Sequence, residues 1–175
     1  MSDKRRMVLL AGTINHRQNT DEEVYIHLDA SPRPIYDAEL NMMLAPDIVA
    51  NIADELPMLP DEHFDEVRLH HVLEHMTHNQ TTIALAAIFR VLKYGGTLDV
   101  ECPDMTRIAE AWLDPHYTHE ELQQWLYGED LGGEFDIHRQ AIDAESLRTV
   151  VEGAGFKIDD QPETGLAVRY IARKR

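Results

Sequence analysis

One cysteine, Cys102, stands in the whole chain, so no intramolecular disulfide can form and a reducing compartment suits the protein. Cations are scarce: 16 Lys and Arg stand against 32 Asp and Glu, a formal net charge of −16. A surface of that sign repels phosphate backbones, which argues against nucleic acid as a partner. No apolar run approaches the roughly 20 residues that a membrane-spanning helix needs. Met7–Ala11, behind a charged N-terminus, is too short for the apolar region of a signal peptide. Repeats, low-complexity tracts and dividing linkers are missing, so residues 1–175 read as one domain, expected in the cytoplasm. What the chain does have is a 43 % share of hydrophobic residues, enough to bury a real core and to exclude disorder as its main state.

The apolar run Met7–Ala11 stops at Gly12 and predicts a strand buried on both faces. Val24–Leu28, Asp47–Ile52 and Phe64–His71 predict three more. The stretch between them with Pro32 and Pro34 reads as too broken for a regular element. Ala84, Ala87, Ile88, Val91 and Leu92 recur at helical spacing between Thr81 and Lys93, with Gly95-Gly96 as the stop. Thr97–Cys102 alternates like a strand, and Met105–Leu113 and His119–Tyr127 predict helices on either side of Pro115. Asp143 caps a helix with Leu147, Val150, Val151 and Ala154 on one face. Phe156–Asp159 and Ala167–Ala172 supply two last strands, arranged as an antiparallel pair at one side of the sheet. Strands alternating with helices indicate an α/β layered fold with a mostly parallel sheet.

In open sheets of this kind, ligands bind beyond the carboxyl ends of the strands. Gly12, Asp29, Asn51, His70, His71 and Pro103-Asp104 all fall at such ends. Asp29 suits the two hydroxyls of a ribose, and equally a plain turn before Ser31-Pro32. Only 12 residues separate Ala11 from Val24, barely room for a parallel crossover. His70-His71-Val72-Leu73-Glu74-His75 is the densest ionisable cluster, and it admits three readings. His71 to His75 matches H-x-x-E-H, an inverted zinc-peptidase pattern that needs both histidines on one helix. The same groups could line an acceptor pocket as general acid or base, or simply end a strand and cap a helix. The alternation Val67, Leu69, His71 belongs to a strand, which counts against the helical zinc reading; no residue is assigned to a metal. Cys102, inside a core strand, reads as a buried inert thiol. The stretch from His116 to His138 reads as a covering segment, with His138 a further candidate.

Taken together, Asp47-Ile-Val-Ala-Asn51, Glu55-Leu-Pro57, Phe64-Asp-Glu-Val67, Val72-Leu-Glu-His75, Arg90-Val-Leu-Lys-Tyr-Gly-Gly96 and Cys102-Pro-Asp104 resemble class I S-adenosylmethionine-dependent methyltransferases. The likeness spans roughly residues 7 to 160, and the LEH…RVLK.GG combination is its most specific part. The resemblance implies a Rossmann-like α/β sandwich: a mostly parallel seven-stranded sheet of order 3-2-1-4-5-7-6 with an antiparallel C-terminal strand. It implies S-adenosylmethionine as cofactor, with Gly12 against its methionine part and Asp29 on the ribose. Asn51 would face the adenine amine, the Ile52 backbone the adenine ring, and His70 and His71 would flank the methyl donor. Three positions depart from the family pattern: Ile14 replaces the second glycine of G-x-G, Asn51 the usual acid, and Tyr94 the usual proline before Gly95-Gly96.

A methyltransferase of this kind positions an acceptor oxygen or nitrogen in line with the methyl. His71 or His75 would serve as base, with Glu74 orienting one of them. A small molecule, sugar or lipid headgroup is the expected acceptor, and a homo-oligomer stays open. The altered loop after Gly12 supports a second hypothesis, a methyltransferase-like binding module without turnover. A third is a zinc hydrolase built on His71 and His75.

Overall fold

The computed structural model describes residues 5–12, 18–32, 34–37, 42–54, 56–128 and 136–175. Nine strands occur there: β1 (Arg6–Ala11), β2 (Glu23–Asp29), β3 (Ile35–Asp37), β4 (Met42–Leu44), β5 (Ile48–Val49), β6 (Phe64–His70), β7 (Leu92–Pro103), β8 (Phe156–Asp160) and β9 (Ala167–Lys174). Four α-helices join them: α1 (His78–Val91), α2 (Met105–Ala111), α3 (His119–Tyr127) and α4 (Ala144–Gly153). Seven strands form one sheet in the order β5-β2-β1-β6-β7-β9-β8. The strands from β5 to β7 pair in parallel, and β9 runs antiparallel to both β7 and β8. Counted along the chain, this is the expected 3-2-1-4-5-7-6 arrangement. Among the described residues, no helix is long and apolar enough to cross a membrane.

Alternation along the strands sends Leu9 and Ala11 of β1, Val67 and Leu69 of β6, and Leu98, Val100 and Cys102 of β7 into one buried cluster. α1 and α4 lie on that face. α1 contributes Ala84, Leu85, Ala87, Ile88 and Val91, spaced as a helical stripe requires. Its first turn is closed by a reciprocal box between Thr77 and Gln80. α4 adds Leu147 and Val151, and Asp143 caps it by accepting from Ser146 N–H at 2.8 Å. Cys102 is fully enclosed in this cluster, and burial pushes its thiol well above the ordinary value.

On β6 and β7 the residues that alternate with these are ionisable, whereas β1 places the buried Val8 and Leu10 there and its charge, Arg6, at its start. Arg6 on β1 ties Glu23 on β2 to Glu66 on β6, and Arg68 holds Glu66 as well. Asp99 on β7 takes both nitrogens of a fork from Arg169 on β9, Nε at 2.8 Å and an Nη at 2.6 Å. His70 Nε2 lies 2.9 Å from the same carboxylate. That contact is off the line a well-formed hydrogen bond needs. An ionic ladder thus crosses β2, β1 and β6, and a second rung joins β6, β7 and β9. Burial by itself would raise the Asp99 carboxyl, but His70 and Arg169 outweigh it and hold the group at about 2.

Three local expectations are corrected. The stretch with Pro32 and Pro34 holds a regular element after all, the antiparallel ribbon β3–β4, in which Ile35 opposes Leu44. Pro34 stands just before β3, where a missing N–H breaks no ladder. The strand expected over Asp47–Ile52 shrinks to Ile48–Val49, because Asn51 Oδ1 accepts from Ala53 N–H at 2.9 Å and starts a 3₁₀ turn at Ile52–Asp54. Gly95-Gly96 does not stop α1; the helix ends at Val91 and Leu92 is already extended, opposite Phe64. The carbonyls of Arg90 and Val91 are taken there by the N–H groups of Glu62 and His63, which ends the helix without a glycine. Ile14 lies outside the described residues.

The segment before α4 is clamped onto the turn after β6. Gln140 Nε2 donates to Leu73 O and to Thr81 Oγ1, both at 2.7 Å, while the Arg139 and Gln140 N–H groups share Glu74 O. Gln140→Ala should therefore cost about 1–2 kcal/mol; a chemical-denaturation midpoint equal to that of the unaltered protein would refute the clamp. The Asp99 contacts make a pH-dependent prediction. A carboxyl held at about 2 in the fold, against about 3.9 in the unfolded chain, contributes stability that is whole above pH ~4 and lost as the pH falls toward 2. Asp99→Asn should lower stability by about 3 kcal/mol at pH 6, and the gap should narrow below pH ~4. Urea midpoints at pH 6, 4 and 3 test this, and a constant gap would contradict it.

Candidate functional site

The sheet changes winding direction between β1 and β6, which places a crevice beyond the carboxyl ends of those strands. Gly12 follows β1 there with φ +87°, its N–H donating to Leu28 O at 3.0 Å. A Cβ at this position would meet Val72 Cγ2 at 3.0 Å, so glycine is required both by conformation and by the close approach of the β6 side. Asp29 ends β2; its Oδ1 accepts from Ser31 N–H at 2.6 Å, and its carbonyl accepts from Ala50 N–H. The turn reading of Asp29 is thus realised through one carboxylate oxygen. Asn51 follows β5 and spends one lone pair of Oδ1 on the 3₁₀ turn. The Ile52 side chain belongs to the core, which leaves its backbone as the part near the crevice.

β6 ends in a sharp reversal. His71 has φ +54°, a left-handed conformation that costs a non-glycine residue about 1 kcal/mol or more. Its N–H donates to Glu101 O at 2.9 Å, and its ring is held from both sides: Nε2 is 3.2 Å from Glu101 Oε1 and Nδ1 is 3.3 Å from Glu74 Oε1. Glu74, and then Glu101, raise the His71 pKa against the opposing effect of burial. The next residues form a 3₁₀ turn, Leu73–His75. No α-helix carries His71 and His75 together, so the inverted zinc-peptidase geometry is not formed.

Glu74 is almost completely enclosed, at 2 % exposure. Around it the fold brings in His75, from the same turn, and His138, from far along the chain. The two imidazoles meet edge to face with centroids 4.9 Å apart. His138 is placed by a backbone bridge between Gly128 and Ile137. Gly128 has φ +77°, and a Cβ there would lie 2.1 Å from Asp136 O, so only glycine lets the strands approach. Burial lowers the His138 pKa; the Glu74 charge opposes this, and His75 adds to it. Next to this cluster lies a cavity of about 200 Å³. Glu74, His138 and Gln140 make its polar side, and Met105, Ile108 and Trp125 its apolar side.

The structure therefore gathers the expected residues into two groups at one edge of the sheet. Gly12, Asp29, Asn51 and Ile52 line the ends of β1, β2 and β5, and His70, His71, Glu74 and His75 form the turn after β6. It adds partners that the sequence did not single out. Glu101 holds His71, Asp99 lies beside His70, and Gln140 anchors the turn. The only sequence signal for the first two was a pair of acids alternating with apolar residues in Thr97–Cys102. His138 was a candidate on the covering segment, but nothing in the sequence joined it to Glu74 and His75.

The family model described as "Methyltransferase domain" matches residues 11–100, just over half of the chain. No protein of curated function matches the sequence. Solved structures match the whole fold. A SAM-dependent methyltransferase from Archaeoglobus fulgidus aligns with TM-score 0.59 and 15 % identity, covering 98 % of this chain and 87 % of that one. A SAM-dependent methyltransferase from Methanosarcina mazei gives 0.58 and 15 %, covering 97 % and 92 %. The 1,6-didemethyltoxoflavin-N1-methyltransferase of Burkholderia thailandensis, solved with that substrate and S-adenosylhomocysteine, gives 0.60 and 16 %, covering 97 % and 72 %. At such identities these likenesses speak for the fold, and the family follows from the sequence match. The chain belongs to the methyltransferase-domain family of class I, S-adenosylmethionine-dependent enzymes.

Proposed function

We propose that the protein transfers the methyl group of S-adenosylmethionine to an oxygen or nitrogen of a small polar acceptor held in the cavity beside Glu74. One observation carries this reading. Val72 abuts Gly12 at the crevice between β1 and β6, and Glu74, two residues on, lines the cavity. A cofactor place and an acceptor place thus meet across a single turn. The volume, about 200 Å³, is below that of drug-sized ligand pockets and favours a small acceptor over a polymer.

The residues at the strand ends suit this cofactor. Gly12 offers backbone without a side chain, the Asp29 carboxylate offers acceptors for ribose hydroxyls, and Asn51 Oδ1 keeps a second lone pair for an adenine amine. The Ile52 backbone and His70 complete the proposed contacts. When bound, S-adenosylmethionine supplies an electrophilic methyl. The work left to the chain is to align the acceptor, exclude water and receive a proton. His71 is poorly suited to the last task, because the Glu74 and Glu101 carboxylates beside it favour its protonated form. His75, the other histidine of the turn, is the proposed base.

Calorimetric titration with S-adenosylhomocysteine tests the cofactor assignment. The protein should bind one equivalent, and Asp29→Ala should weaken binding by roughly 10- to 100-fold, the worth of one or two hydrogen bonds to a charged group. Equal affinities for the two proteins would remove Asp29 from the site, and no binding to either would count against turnover.

A further inference from the structure

We propose that Glu74, His75 and His138 form a binding site for a divalent transition-metal ion of the zinc class. The starting observation is an electrostatic one. Glu74 is enclosed at 2 % exposure, yet neither carboxylate oxygen has a well-formed hydrogen bond among the described residues. His71 Nδ1 stands 3.3 Å from Oε1 at a poor angle, and Oε2 has nothing. A carboxylate buried so incompletely matched is costly, and such groups are as a rule paired or bound to a cation.

Two imidazoles are placed to share that cation. One ligand atom each from Glu74, His75 and His138 lie within 4.8 Å of one another. With zinc bonds of about 2.0–2.2 Å, tetrahedral ligand atoms stand roughly 3.4 Å apart, so modest side-chain rotation would draw the three onto one ion. The His75 ring also has the outer support usual in metal sites. His75 Nδ1 lies 3.3 Å from Ile137 O. A backbone partner on one ring nitrogen fixes the tautomer and leaves the other lone pair for a metal. Two nitrogen donors and one carboxylate select a zinc-class ion over magnesium or calcium, which take oxygen ligands.

Three protein ligands leave at least one coordination position unfilled, as sites that act on a ligand do. Glu74 and His138 both line the cavity, so an oxygen or nitrogen of a molecule in it is the natural fourth ligand. The ion site itself does not depend on methyl transfer. Where the methyl-transfer reading holds, His75 serves as a ligand instead of a base: an ion held there would polarise the acceptor's O–H or N–H, and solvent water would take the released proton.

The test uses tag-free, metal-stripped full-length protein titrated with Zn²⁺ by calorimetry against a competing chelator, and with Co²⁺ followed by its visible d–d absorption. One equivalent of each ion should bind, and the cobalt spectrum should be that of a low-coordinate nitrogen and oxygen site. Glu74→Gln and His138→Ala should each weaken Zn²⁺ binding by 100-fold or so, of the order expected for loss of a ligand or its support. His116→Ala, which alters an exposed histidine paired with Asp114, should leave it unchanged. S-Adenosylhomocysteine affinity and the melting temperature, measured on the same variants, separate a lost metal site from a lost fold. Zinc binding that survives Glu74→Gln and His138→Ala in folded protein, or that falls equally with His116→Ala, overturns the proposal. So does an absence of stoichiometric binding by the unaltered chain, whatever its affinity for the cofactor product.

Discussion

The reversal at His71 is the constraint on which the site depends. A strand that simply continued past His70 would carry Glu74 and His75 away from the sheet edge. Instead the backbone turns left-handed, and the strain of that turn is offset by two carboxylates gripping one imidazole. Glu101 is supplied by the neighbouring strand in register with His70, and Glu74 by the turn that the reversal creates. The ring is thus a bracket between the sheet and the turn. Because the ring is committed to that role, the chemistry of the edge passes to the groups beyond it.

Those groups are drawn from distant parts of the chain. Glu74 and His75 come with the turn, whereas His138 arrives through a glycine-dependent bridge and is held in place by the Arg139 and Gln140 contacts. The arrangement therefore links the two halves of the chain. The half that matches the family model provides most of the parallel part of the sheet and the crevice; the half beyond residue 100 provides β8, β9 and most of the cavity wall. Variation in the second half can change what the cavity accepts without touching Gly12 or Asp29.

Much of the fold was legible from residue order. Apolar runs marked β1 and β6, helical spacing marked α1 and α4, and the position of Gly12 and Asp29 at strand ends located the crevice. Two of the departures have one kind of cause: polar groups, side-chain or backbone, that compete with regular structure. Asn51 cut a predicted strand short by capping a turn, and the N–H groups of Glu62 and His63 ended a helix that two glycines were expected to end. The ionic ladder was not foreseen, because a charged residue alternating in a strand looks the same whether it meets solvent or a partner on the next strand. The convergence of His138 on Glu74 and His75 was beyond reach for a stronger reason. It depends on a contact across some sixty residues of sequence, and local patterns carry no such information.

The position of β9 has a consequence for how the protein comes into being. β8 is synthesised before β9, yet it joins the sheet only through β9, which lies between it and β7. During synthesis, β7 therefore presents an unpaired edge while α2, α3, α4 and β8 are already made. That edge is rich in β-formers, with Leu98, Val100 and Cys102 along one side, and open edges of this kind invite pairing with other chains. Closing it requires the antiparallel arrival of β9, so the nascent chain is exposed to misassembly until that strand has been made. The alternating charges on β7 then have a second use: Asp99 and Glu101 discourage a like-charged edge from docking there until Arg169 comes to claim its place.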